Sequence, residues 1–179
     1  MDHGARPGAD TVGGISTDDL RRTMGRFATG VAVVTTIAED VPQGMTVNSL
    51  ISVSLDPPLL LVSLMAGART TEAVGRSGRF AVSVMSSRQE QIARRFACDG
   101  TDHFEGLALK YGGHDVPVVP DALVHLECAT DRAISAGDHV LFVGRILRAC
   151  ARDGEPLTFY NGRFGGFSAR DADRIGWFY

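Results

Sequence analysis

Hydroxyl and amide side chains crowd one short apolar stretch, "GMTVNSLISVSLDPP", residues 44–58. Thr46, Asn48, Ser52 and Ser54 fall on one parity and Met45, Val47, Ile51, Val53 and Leu55 on the other, so an extended chain sets a polar face against an apolar one. Ser49 and Leu50 break the alternation, the mark of a bulge or bend between two halves. The polar face can meet water or a large polar ligand, and periodicity does not choose. Arg69 and Thr70 stand just before a candidate helix. Backbone amides, a hydroxyl and a guanidinium can converge there on a phosphate, or Thr70 can cap the helix while Arg69 is solvated. In "AGDHVLFVGR", residues 136–145, His139 follows a Gly-Asp turn at the mouth of an apolar strand. A histidine so placed can hydrogen bond a ligand amide, sit near a redox centre or stabilise the turn. Phe104 in "TDHFEG" and the three aromatics of "YNGRFGGF", among them Phe164, can cover a planar ligand or simply pack.

Commoner chemistries lack their motifs. There is no G-x-G-x-x-G between a strand and a helix, no Walker loop, no G-x-S-x-G elbow and no H-E-x-x-H pair, and the five histidines lack a metal-ligand spacing. A net charge of −3 supplies no basic face for nucleic acid or a membrane surface. Cys98, Cys128 and Cys150 are odd in number and widely spaced, so they read as buried thiols rather than a disulfide framework or zinc site. No run approaches the roughly 18 apolar residues of a membrane span, and residues 1–15 lack the apolar core of a signal peptide, which points to the cytoplasm.

The length suits one domain over 16–179 behind a flexible Gly, Ala, Asp and Pro-rich tail, 1–15. Ser16 and Asp19 predict the start of a helix that carries Leu20, Met24 and Phe27 on one face and stops at Gly30. "VAVVTTI" (31–37) predicts a strand, "AEDVPQG" a turn, 44–55 a bent strand, Asp56-Pro57-Pro58 its end, and "LLLVSLM" (59–65) another strand. A short helix from Thr70, limited by Gly75 and Gly78, precedes the strand "RFAVSVM" (79–85). Ser87 and Glu90 predict a capping box for an amphipathic helix through Ile92 and Phe96. Residues 99–121 read as mostly irregular, a loop long enough to suggest function. Strands follow at 122–134, 139–151 and 156–162. Many strands and few helices favour a mainly β fold, an antiparallel barrel with peripheral helices.

Taken in order, "MGRFATGVAVVTT", "GMTVNSLISVSLDPPLLLVSL", "TTEAVGRSGRFAVSVMS", "DHFEG", "AGDHVLFVGRI" and "PLTFYNGRFGGF" resemble the flavin reductase-like family, the small reductase components of two-component flavin monooxygenases. The resemblance spans about residues 20–167. It implies an FMN-binding split β-barrel of Greek-key type, a homodimer with flavin at the subunit interface, and reduction of FMN or FAD by NADH or NADPH for a partner oxygenase. It further implies that Thr46, Val47, Asn48 and Ser49 approach the isoalloxazine edge and that Ser52, Val53 and Ser54 run along the ribityl chain. Arg69 and Thr70 would hold the phosphate with Ser83 nearby, His139 would stand beside the nicotinamide, and Phe104 and Phe164 would cover the rings. Two positions depart from the family pattern: many relatives carry Asn at Ser83, and Ser or Thr at Asn48. Two other readings share the barrel: a flavin-binding or redox-sensing module without turnover, and an oxidase with tightly held FMN. A Gly-Asp-His turn favours the reductase, because a binding module needs no nicotinamide site.

Overall fold

The computed structural model describes residues 11–12, 14–98, 100, 103–108 and 110–168. Most of the expected tail, Thr101 and Asp102 of the long loop, and the C-terminal part of the domain from residue 169 lie outside the described residues. Within the expected tail, β1 (Thr11–Val12) pairs with β2 (Ile15–Ser16) as a small hairpin. α1 (Thr17–Met24) starts as expected: the Ser16 hydroxyl accepts from the Asp19 amide at 3.0 Å. It ends at Gly25 rather than Gly30. Leu20, Met24 and Phe27 are 51%, 61% and 70% exposed, so no buried contact extends the helix to Phe27.

After β3 (Thr29–Gly30), β4 (Ala32–Ala38) and β5 (Val41–Val47) form a hairpin. The expected seven-residue turn shrinks to Glu39 and Asp40, because both adopt positive φ, 54° and 62°, as a tight hairpin turn requires. Pro42 is then accommodated inside β5, which lies at the sheet's edge. The expected bent strand is two strands: β5 ends at Val47, and β6 (Ile51–Leu55) follows with a bulge at Val53. β7 (Pro58–Met65), α2 (Arg69–Ser77) and β8 (Arg79–Val84) come next, α2 running through Gly75 to Gly78. The capping box before α3 (Glu90–Phe96) lies one residue earlier than expected, between Ser86 and Gln89, because a short 3-10 turn precedes the helix. Among the described residues of 99–121 only β9 (Lys110–Tyr111) and β10 (Pro117–Val118) are regular. Two long strands, β11 (Val124–Ala136) and β12 (His139–Ala151), and the hairpin of β13 (Leu157–Tyr160) with β14 (Arg163–Gly166) complete the described elements.

The main sheet is antiparallel, ordered β5-β4-β8-β11-β12-β7-β6. Its two outermost strands are consecutive in sequence and are joined by residues 48–50 alone. Four Cα steps reach about 14 Å, whereas the edges of a flat seven-stranded sheet would lie about 28 Å apart. The sheet must therefore roll into a barrel whose edges meet without a backbone ladder, a split barrel. Val34, Leu60, Val62, Leu64, Phe80, Val82 and Phe142 fill it. Val31, Val33, Met85, Phe96 and Leu157 form a second core outside, so β4 is covered on both faces. That explains the unbroken apolar run "VAVV". Among the described residues no helix is long and apolar enough to cross a membrane.

Buried polar groups fix the segment from Gly112 to Pro120. Glu127, 3% exposed, accepts from the amides of Gly113 and His114 and from His114 Nδ1 at 3.1, 2.9 and 2.9 Å. His125 Nε2 lies 2.7 Å from the Val119 carbonyl, and Gln89 Nε2 donates to Pro120 O. Burial alone would raise the Glu127 carboxyl, but the His114 side-chain bond, the two amides and the His114 charge together hold it below its ordinary value. Of the cysteines only Cys128 is buried; Cys98 and Cys150 are exposed. Burial, then the Glu127 charge, pushes the Cys128 thiol up to about 12.

Two outcomes follow. Native protein should couple maleimide at Cys98 and Cys150 while Cys128 reacts only after unfolding, as peptide mass spectrometry would read. Glu127→Gln should cost about 1–3 kcal/mol in urea unfolding at pH 7. A depressed carboxylate stabilises fully above its unfolded value near pH 4.3 and loses that contribution as pH falls through the lower folded value. The gap between wild type and variant should accordingly close in that acid window.

Candidate functional site

The seam where the barrel edges meet carries the candidate site. β6 begins opposite Leu61, which leaves the Ser63 backbone beyond the ladder's end. The Ser49 hydroxyl fills that place, donating to Ser63 O at 2.8 Å and accepting from Ser63 N at 3.1 Å. One side chain thus substitutes for a strand residue and fixes the path of 48–50. Beside it opens a cleft of about 620 Å³. Met24, Phe27, Val31, Val47 and Ile51 give it apolar walls, while Thr29, Asn48 and Ser49 give it a polar border. Thr29 Oγ1 is buried without a hydrogen-bond partner among the described residues. An unsatisfied hydroxyl costs about 1–3 kcal/mol unless a ligand supplies the partner.

His139 reaches the same end of the barrel through sheet register. It opens β12 opposite Met65, two residues beyond the Ser63 that Ser49 clasps. The turn before it is tied to the chain leading into α2 by Ala66 N donating to Asp138 O at 2.9 Å. His139 Nδ1 lies 2.7 Å from Asp138 Oδ1. A carboxylate only accepts, so Nδ1 carries the proton of this bond, and in the neutral form of the ring Nε2 is an acceptor. That hydrogen bond, with the His139 charge, holds the fully exposed Asp138 carboxyl below its ordinary value.

Of the residues expected at the site, Val47, Asn48 and Ser49 line the cleft. Ser52, Val53 and Ser54 continue from it along the edge strand around the bulge. Arg69 is exposed at the start of α2, whose N-cap Ala68 offers no side-chain bond, and Thr70 is buried in the first turn. Four of the expected residues make contacts within the protein. The Thr46 hydroxyl donates to Ala93 O at 2.7 Å and so faces α3. Ser83 is fully buried, its hydroxyl accepting from Val119 N at 3.1 Å. Phe104 packs edge-on against Phe96 at 5.0 Å, and Phe164 against Phe159 at 5.4 Å, with the Arg94 guanidinium 4.9 Å above the Phe164 ring. Both phenyl groups pack on the second core, and Phe104 also lines a smaller cleft of about 340 Å³ with Gln43, Arg69 and His103. Met24, Phe27, Thr29 and Gly30 were not singled out for the site. Their signal was an apolar helix face that continues past any core able to bury it.

Comparison with known proteins gives a consistent result. The family model for a "Flavin reductase like domain" matches residues 24–168. The chain is 43% identical over 156 residues to the FMN reductase (NADH) SmoA of Agrobacterium fabrum, covering 87% of this chain and 89% of that one. Among solved structures it resembles nitrilotriacetate monooxygenase component B from Mycobacterium thermoresistibile, with a TM-score of 0.84 at 30% identity over 89% of this chain and 91% of that one. It also resembles the NADH:FAD oxidoreductase SgcE6 of Streptomyces globisporus C-1027, solved with NAD and FAD fragments, with a TM-score of 0.81 at 40% identity, covering 87% and 94%.

Ser49→Ala should destabilise the protein by about 1–3 kcal/mol in urea titration, since it strips both bonds from a half-buried peptide. Ser49→Thr, which keeps the hydroxyl, should recover most of that loss.

Proposed function

The chain belongs to the flavin reductase-like domain family, and on that premise we propose that the cleft at the barrel seam holds the ring system of FMN or FAD. The chain is an NAD(P)H:flavin oxidoreductase that supplies reduced flavin to a monooxygenase. The observation that carries the placement is the make-up of the cleft. An isoalloxazine has flat apolar faces and a polar edge, and Met24, Phe27, Val47 and Ile51 oppose the one while Thr29 and Asn48 border the other. The partnerless Thr29 hydroxyl supports the fit, because a ring carbonyl or imide would satisfy it.

In this reading Val47, Asn48 and Ser49 form the wall, and Ser52, Val53 and Ser54 follow the ribityl chain along β6. Arg69 and the first amides of α2 take the phosphate, with Thr70 holding that turn. Thr46 and Ser83 serve as struts behind the site, one to α3 and one to the 119 segment. The flavin supplies the hydride-accepting chemistry. The chain would supply orientation: His139, held through Nδ1 by Asp138, would offer Nε2 to the carboxamide N–H of a nicotinamide and so position the hydride donor. No general base is required, because a hydride moves without a separate proton transfer at the reacting carbon.

A homodimer completes the reading. Arg132, Val143, Leu61 and Ile51 lie side by side across four strands, and Ile134, Leu141 and Ser63 form the next row. This outer face, with Ile51 55% and Ile134 47% exposed, continues the apolar side of the cleft toward α1. A second copy would cover both. The working unit is the barrel of 16–179, in the cytoplasm where reduced nicotinamide nucleotides are abundant.

Absorbance at the nicotinamide band should fall only when FMN or FAD is added to the protein with NADH or NADPH; no flavin-dependent oxidation with either nucleotide would refute the catalytic role. His139→Ala should raise the KM for the nucleotide about tenfold while flavin affinity changes less than twofold. Light scattering should give about 38 kDa, twice the 19.1 kDa chain, and Leu61→Glu should halve it.

A further inference from the structure

We propose that His103 is a proton-dependent clasp that fastens the segment after α3 to the open edge of β5. Its imidazole lies between two backbone carbonyls, Nδ1 2.9 Å from Gly44 O and Nε2 2.7 Å from Cys98 O. A carbonyl oxygen only accepts, so each contact is a hydrogen bond only while that nitrogen carries a proton. A neutral ring has one N–H and turns a lone pair toward the other carbonyl. The imidazolium donates to both, in charge-assisted bonds. Only the cation can make both bonds at once, and a ring with one proton keeps one of the two ties.

The tie matters because of what it holds. β5 is an outermost strand, so its Gly44 carbonyl belongs to an edge without a neighbouring strand. A Cβ at Gly44 would sit 2.7 Å from Phe96, so the end of α3 lies directly on the strand there. His103 rests on that same ring at 5.2 Å, and Phe104 meets it edge-on at 5.0 Å. The clasp thus sets how firmly Phe104 walls the cleft shared with Arg69. Among the described residues the charged and titratable groups around it are Arg69 from α2, Arg95 of α3, which donates to Glu105 O at 2.6 Å, the Glu105 carboxylate and the exposed Cys98 thiol. Among the described residues no carboxylate pairs with the ring, so the two carbonyls are its partners. The clasp rests on this geometry alone; any effect on ligand affinity rests in addition on Arg69 being the phosphate ligand.

Hydrogen exchange on the full chain at pH 5.5 and 8 spans the range in which imidazoles lose their proton. The Leu107 amide, bonded to Phe104 O at 3.0 Å, reports the segment. After correction for intrinsic rates, its protection should fall about tenfold at the higher pH in wild type, the consequence of one lost charge-assisted bond. His103→Lys, charged at both pH values, should keep high protection throughout, and His103→Gln, with one donor group and one acceptor, should show low protection at both. Constant protection in wild type, or an equal fall in His103→Gln, would overturn the clasp. FMN affinity measured on the same three proteins separates the two premises. A parallel loss in wild type supports coupling to the Arg69 cleft, whereas a pH-independent affinity beside falling protection overturns that coupling and leaves the clasp standing.

Discussion

The brevity of the chain between β5 and β6 governs the architecture. Residues 48–50 are too few to connect the two edges of a flat sheet, so the sheet rolls until its edges meet. Closure is incomplete because β6 starts too late to pair with the end of β7, and the exposed Ser63 peptide would lack partners without the Ser49 hydroxyl. The same defect creates the site. Where two strands would have made a continuous wall there is instead a cleft, bordered by the link itself and by the residues that follow α1. Register then brings His139 and the start of α2 to that end, since both flank Met65 in sheet order and sequence. The path of the link and the shape of the site are one physical problem, since Ser49 clasps the Ser63 peptide and lines the cleft at once.

Much of this was legible in the sequence, and the failures have physical causes. The strands could be read because β-branched runs and turn residues delimit them, and the break at Ser49 and Leu50 was visible as a change of parity. The turn at Glu39 and Asp40 could not be read, because neither residue advertises a left-handed backbone as glycine would. Site residues divided along a similar line. Val47, Asn48 and Ser49 are at the cleft because the link lies there whatever packs around it. Thr46 and Ser83 have the same kind of hydroxyl on the same kind of strand, yet each satisfies a peptide group of a neighbouring segment. Periodicity tells which face a side chain takes, and only the tertiary fold decides what covers that face. Phe104 and Phe164 went to the second core for the same reason: a large ring finds the nearest apolar surface, and α3 and β13 supplied it.

Two carboxylate–imidazole pairs show how environment sorts one chemistry into two roles. Glu127 and His114 meet at 2.9 Å with the carboxylate almost fully enclosed, and two amides share it. Taking a charge out of water is costly unless every lone pair is engaged, so this pair is committed to holding its loop. Asp138 and His139 meet at 2.7 Å with the carboxylate 92% exposed. Water screens that contact, so it adds little to stability. What survives screening is geometry: the carboxylate decides which ring nitrogen bears the proton. A residue in that position can orient a partner's amide but has no driving force to abstract a proton from carbon. That matches a reaction in which hydride passes from nicotinamide to flavin and the protein's task is to bring the two rings together. Among the described residues that line the seam cleft none is acidic or basic, and apolar walls with one partnerless hydroxyl suit the planar guest proposed there.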